Sequence, residues 1–376
     1  MRKLAALFLF ILLVLLFPAA AAAEGEPDSM AEEQLRRSGI EQLLPLIPEE
    51  GRSAVDGESL LQGEVTKWTP SSVFAKIWEI ARDKLSSPLR IFLTVSGILL
   101  LAALLDAFRD GMEQNGCTAA FSAAVTLSVS AALISGVTDS LRNAAKIIEE
   151  LSYFVLSFIP VFSGVAAVAG RPASAAAYQS VTFAAAQFFS QIAANAVVPL
   201  LGIFLAVCTV GAVSDAVDVQ GIAQSVKKAA NWLLALCLTI FVGLLSVQSM
   251  VTGAADTVGN RTVKFVISST VPVVGGALSE AYGSLFGCLG VVKSTIGVFG
   301  IIVMIASLLP VVLELSLTLL SLNLAGAVGD LLGQKRASGV LRSTSSALSI
   351  MLGLILCYGM MILVSVTIML LMGTPG

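Results

Sequence analysis

Phe158-Ile-Pro-Val-Phe-Ser-Gly164 closes an apolar run with a proline and a glycine, and an altered copy, Thr270-Val-Pro-Val-Val-Gly-Gly276, stands further along the chain. In a membrane span a proline removes one backbone donor, and a glycine lets a neighbouring backbone approach closely. Such a run makes a kink, a broken helix or a tight helix contact, and lipid tolerates the first two only where protein re-satisfies the freed backbone groups. The stretch therefore points to an all-α, polytopic membrane protein with Pro/Gly-interrupted spans.

The correspondence extends downstream from this motif. Pro160 pairs with Pro272, Pro199 with Pro310 and Asp215 with Asp330, at separations of 112, 111 and 115 residues. Each aspartate ends a Gly-Ala-Val motif, Gly211-Ala-Val-Ser-Asp215 and Gly326-Ala-Val-Gly-Asp330, and basic residues follow both. The spacing reads as an internal repeat over 117–229 and 230–344, with a closing span at 345–372. In transporter and channel folds the functional path runs along the interface of such repeats. Chance matching of small-residue-rich spans is the competing explanation.

Composition supports the membrane assignment. Of the 376 residues 56% are hydrophobic and 12% charged, against about 25% charged in a soluble domain, so there is too little polar surface to cover a water-soluble globule. Acidic residues concentrate in 24–87, which holds 13 of the 25. No basic patch with interleaved aromatics suggests nucleic-acid binding. The chain has no histidine, and its five cysteines lie singly in apolar runs; this excludes His-based acid/base chemistry and His or Cys-cluster metal sites, and implies no disulfide framework. No cofactor is expected.

Residues 1–23 carry Arg2 and Lys3, an apolar run from Leu4 to Phe17, then Pro18 and a stretch of alanines. That is the pattern of a secretory signal peptide, cleaved near Ala23 or retained as an anchor, and it would place the next segment outside the cytoplasm. The acidic segment 24–87 follows. Its 71–87 part sets Val73, Phe74, Ile77, Trp78, Ala81 and Leu85 against Lys76, Glu79, Arg82, Asp83 and Lys84, an amphipathic helix suited to the bilayer interface or to docking on its own protein, with Pro88 as its stop. From there the membrane domain, 88–376, offers apolar runs at 89–107, 117–137, 151–170, 181–213, 230–252, 263–278, 285–323 and 345–372. Two runs are too long for one untilted span and one is short, so six to nine crossings are expected. The loop 333–342 is the richest in basic residues and belongs in the cytoplasm.

Ionisable residues within spans are costly and therefore candidates for function. Glu314 stands four residues after Pro310, and Lys293 lies between Gly290 and Gly297; they line a polar path, pair with one another or sit near an interface. Gln187, Gln191 and Asn195 recur at i, i+4, i+8 before Pro199, which puts three amides on one helix face as a polar seam or as interhelical hydrogen-bonding groups. With Pro160, Gly164, Pro272, Gly275, Gly276, Pro199 and Pro310 these complete the candidate structural and path residues. No Walker loop, nucleophile elbow or HExxH helix is present, so an enzyme is not expected and no catalytic residue is named.

Val271-Pro-Val-Val-Gly-Gly-Ala-Leu-Ser279, Cys288, Gly297-Val-Phe-Gly300 and Leu324-Ala-Gly-Ala-Val-Gly-Asp330, taken with the leader and the acidic segment, resemble the stage III sporulation protein AE family of endospore-forming bacteria. The likeness covers essentially the whole chain and is strongest over about 260–330. It implies a multi-pass subunit, in the mother-cell membrane around the forespore, of a channel or secretion-like complex. The implied partners are the other proteins of the same operon, including ring subunits and a secretion-type ATPase, and indirectly stage II sporulation protein Q. The alternatives are a stand-alone secondary transporter with a site between the repeats, coupled through Glu314 or Lys293, and a scaffold that only anchors the extracytoplasmic helix.

Overall fold

The computed structural model describes residues 40–54, 78–109, 118–213, 224–243 and 275–371 together with Gly221 and Ser246. The leader 1–23, most of 24–87, Pro272, Asp215, Cys117 and Gln248 lie outside the described residues. All regular structure among those described is helical. After a 3-10 turn at Ile40–Leu46 and a short helix Glu49–Ala54 come α1 (Ser86–Arg109), α2 (Thr118–Val168) and α3 (Pro172–Ile192). A π segment, Ala193–Val197, joins α3 to α4 (Val198–Val213). Beyond it are α5 (Gln224–Gly243), α6 (Gly275–Leu331) and α7 (Lys335–Leu371). Among the described residues six helical stretches are long and apolar enough to cross a membrane, so the chain is an all-α polytopic membrane protein.

Length is the first departure from the expected pattern of separate spans. The apolar runs at 117–137 and 151–170 are not two helices but one, α2, of 51 residues, and α6 has 57. At 1.5 Å per residue these are about 75 and 85 Å long. The linking segment of α2 explains the continuity. It contains neither glycine nor proline, and Ala144, Ile147, Ile148 and Leu151 recur at three- and four-residue steps and are buried, while Arg142, Asn143, Lys146 and Glu149 face out. An apolar stripe with a polar back keeps a helix going.

The prolines act differently from one another. Pro160 and Pro310 lie inside continuous helices, whereas the π segment ends two residues before Pro199, where widening the turn accommodates the missing donor. Pro88, expected as a stop, instead occupies the first turn of α1, where its absent N–H leaves no bond unmade. The break falls at Leu85, which separates α1 from the helical residues 78–84.

Two hairpins share one device. Gly170 and Gly333 take φ of 86° and 78°. Arg171 N donates to Ala166 O at 3.1 Å and Gly170 N to Ala167 O at 3.2 Å; Gln334 N donates to Gly329 O at 2.8 Å and Gly333 N to Asp330 O at 3.2 Å. Both are Schellman closures, which need a left-handed residue that glycine alone adopts without cost. Each new helix starts two residues later, α3 at Pro172 and α7 at Lys335, so α2/α3 and α6/α7 are tight antiparallel pairs.

Side chains then fix the heights. Ile91 of α1 lies 2.7 Å from where a Cβ on Gly136 of α2 would stand. At the opposite end of α1, Gln334 Nε2 donates to Asp106 Oδ2 at 2.7 Å. Higher in the bundle a ladder of rings, Phe154, Phe158, Phe162 and Tyr178, steps across from α2 to α3 at centroid spacings of 5.9, 5.3 and 5.5 Å. Opposite it, Gly300 of α6 receives the Phe158 ring and Gly297 receives Leu370 of α7, each so closely that a Cβ would overlap the partner. Hydrogen bonds cross the same buried region: Thr182 shares one with Ser365 at 2.6 Å and Ser152 one with Tyr358 at 2.9 Å. Since Ser152 gives its own proton to Ile148 O at 2.6 Å, Tyr358 is the donor to Ser152.

The Phe158–Gly300 contact generates a direct expectation. Gly300→Ala forces the ring out of its seat and lowers stability by about 1–3 kcal/mol, read as a fall in the thermal midpoint of detergent-solubilised protein. Combining it with Phe158→Leu recovers part of the loss. A Gly300→Ala protein as stable as the parent would mean that the ring does not seat there.

Candidate functional site

The bundle's most concentrated charge lies at mid-height, where the short helix Glu49–Ala54, the residues preceding α1, the centre of α2 and the centre of α6 converge. Lys84 Nζ stands 3.3 Å from Glu50 Oε1 and 3.8 Å from Glu314 Oε2. Lys146 Nζ stands 3.6 Å from Glu49 Oε2 and 3.3 Å from Glu150 Oε1. Four carboxylates thus share two ammonium groups in this charged waist, and a cleft of about 210 Å³ opens beside Glu49, Glu50, Asn143, Lys146 and Glu150. Gly51 holds the short helix against Ser307 of α6 with no room for a side chain.

The two clusters differ in kind. Lys146 and Glu49 are largely exposed, so water screens them and their contribution to stability is small. Glu314 is 12% exposed and Lys84 25%, so that pair is stronger and costlier to disrupt. The expected alternative of a Glu314–Lys293 pair is ruled out by distance. Both residues belong to α6, 21 residues apart, which is about 30 Å along the axis. Glu314 meets Lys84 instead, and Lys293 is buried at 3% exposure far above it.

The other expected residues disperse. Gln187, Gln191 and Asn195 are exposed on the outside of α3 and the π segment, where Asn195 Nδ2 donates to Gln191 Oε1 at 2.7 Å. Pro160, Gly164 and Pro199 also face outward, whereas Pro310 is buried. Gly275 and Gly276 begin α6. Asp330 pairs with Arg342, and Asn323 Oδ1 accepts from Ser345 Oγ at 3.1 Å. Asp106, Asp330, Lys335, Arg336 and Arg342 therefore mark one pole of the bundle, the basic end.

Sequence reading did not single out Glu49, Glu50, Lys146 and Glu150, and it set Lys84 on the polar face of the amphipathic helix without a partner in the spans. The available signal was the polar interruption at 138–150 between two apolar runs of similar length. Among the described residues no group of three or more His, Cys, Asp or Glu side chains is placed to hold a metal ion.

Charge removal at the waist has an ordered outcome. Lys84→Met takes from Glu314 the cation that faces it and costs about 2 kcal/mol, whereas Glu314→Gln leaves Lys84 its Glu50 partner and costs about 1 kcal/mol or less. Thermal midpoints of the two variants should rank in that order, and the reverse ranking would show that Glu314 is not held by Lys84.

A family model described as Stage III sporulation protein AE matches residues 56–373. A curated relative, Stage III sporulation protein AE of Bacillus subtilis (strain 168), is 27% identical over 195 residues, 52% of this chain. The aligned stretch spans 49% of that relative, about half its length. No solved structure matches.

Proposed function

The chain belongs to the stage III sporulation protein AE family, and from that premise we propose that it is a non-enzymatic membrane subunit of a channel or secretion-like complex linking mother cell and forespore. It is a sporulation protein and a multi-pass membrane protein; the complex, the mother-cell membrane around the forespore and the partners are our reading. Those partners are the other stage III sporulation proteins, including ring subunits and a secretion-type ATPase, with stage II sporulation protein Q engaged indirectly.

One observation carries the reading: the bundle is about twice as long as a bilayer is thick. α1 provides a candidate span, Ser86–Phe108, of 23 residues, about 35 Å and enough for the hydrocarbon. Lys84 stands just before it, and Asp106 near its end contacts Gln334 at the basic end. The membrane therefore covers the half between the waist and the basic end. The outward face of α1 there is Leu93, Leu100, Leu101, Leu104, Leu105 and Phe108, which suits lipid. With the turn before Lys335 and the basic first turns of α7 in the cytoplasm, the waist lies at the outer surface. That agrees with a leader that exports the acidic segment. The half carrying the aromatic ladder then projects from the mother-cell membrane toward the forespore, as a subunit joining two cells requires.

A stand-alone transporter coupled through Glu314 or Lys293 is disfavoured. Glu314 is engaged by Lys84, and the amide row points away from the bundle interior.

Single cysteines in a cysteine-free chain test the placement with a membrane-impermeant maleimide on oriented vesicles. Asn143→Cys and Tyr153→Cys should react from the extracytoplasmic side, Lys335→Cys from the cytoplasmic side and Leu101→Cys from neither. Protection of Tyr153→Cys from both sides, with Leu101→Cys accessible, would place the wrong half in the membrane.

A further inference from the structure

The outer face of α3 fits neither lipid nor water. It lies in the projecting half, and its exposed positions include Ala184, Gln187, Gln191 and Asn195 with the aromatic rings of Phe183 and Phe188. A lipid-facing surface would resemble the leucine-rich face of α1. A solvated helix would carry charge at about a quarter of its positions, yet Pro172–Val213 contains no charged residue. Small residues, amides and a few rings are the composition of a helix–helix contact.

The amides indicate which helix fits. Asn195 Nδ2 donates to Gln191 Oε1 at 2.7 Å, which leaves the Asn195 oxygen as an acceptor and the Gln191 nitrogen as a donor pointing outward, beside the Gln187 amide. The π segment, Ala193–Val197, bonds i to i+5 and takes more residues per turn, so it draws Asn195 back into line with the two glutamines. Copies of a membrane protein share one orientation, so two such faces related by an axis along the membrane normal bring each amide opposite its own counterpart. An amide is both donor and acceptor and is self-complementary in that arrangement. The absence of charge removes the repulsion that identical faces would otherwise have.

We infer that the outer face of α3, with Gln187, Gln191 and Asn195 as its polar row, is a docking seam for a second copy of this chain in the projecting half. The inference rests on the placement argued under the proposed function. The seam joins subunits side by side and leaves the charged waist free for other partners.

Oxidative cross-linking in native membranes tests it, using full-length cysteine-free chain with Gln191→Cys or Ser180→Cys. A band of twice the chain mass should form with either residue and not with Leu101→Cys on α1. Adding Gln187→Leu and Asn195→Leu should reduce the Ser180→Cys band at least fivefold. Differently tagged copies carrying Gln191→Cys should be recovered together in the cross-linked band. No such band from either reporter, or a cross-link only within the chain or to a protein of another mass, would overturn the seam. Maleimide labelling of Tyr153→Cys, which lies off the seam, separates the two readings. Labelling without cross-linking defeats the seam and spares the placement; cross-linking with Tyr153→Cys protected does the reverse.

Discussion

A helix gains 1.5 Å per residue and the hydrocarbon of a membrane is about 30 Å thick; a 57-residue helix and a 51-residue helix, packed side by side, cannot both end where the lipid ends. Most of the architecture follows from that mismatch. α6 and α2 carry apolar surface far beyond one bilayer, so the excess must be covered by protein. α7 and α3 fold back along them through two Schellman turns and cover it. The two apolar halves meet at a level where charge is collected, around Lys84, Lys146 and Glu314.

In the half that carries the aromatic ladder, close approach at glycine sets the packing. Gly297 and Gly300 stand one turn apart on α6, and each takes a large side chain from a different helix, Leu370 from α7 and Phe158 from α2. The contact draws α2 and α7 against the same stretch of α6. Ser152–Tyr358 and Thr182–Ser365 add hydrogen bonds between helices in the same region. Such bonds matter where side chains have no water to bond to instead. Among the described residues the result is an interior filled by Phe154, Phe158, Phe162 and Tyr178.

Several features could be read directly from the residues. Apolar content with sparse charge fixed the membrane class, and the motifs at 271–279 and 297–300 carried the family resemblance. The glycines of that second motif proved to be contact points. The amide row was recognised as one face of a helix, but whether the face looked inward or outward was not, because periodicity gives a stripe without saying what covers it. Pairing of Glu314 with Lys293, one of the alternatives left open, fails because a rigid helix keeps residues 21 positions apart well separated, and Glu314 meets Lys84 instead.

By itself the sequence determined that this is an all-helical, multi-pass chain, that its family is one of sporulation proteins, and that proline, glycine and amide residues punctuate its spans. Those properties follow from composition, local propensity and residue order, which need no third dimension. Only the tertiary structure decided that the two apolar runs within 118–168 are one helix, that Lys84 is the partner of Glu314, and that the charges of four distant segments form a single waist. Each of these depends on which helices lie side by side and at what height, and that is set by long-range packing, above all by Phe158 seated on Gly300 and Leu370 on Gly297.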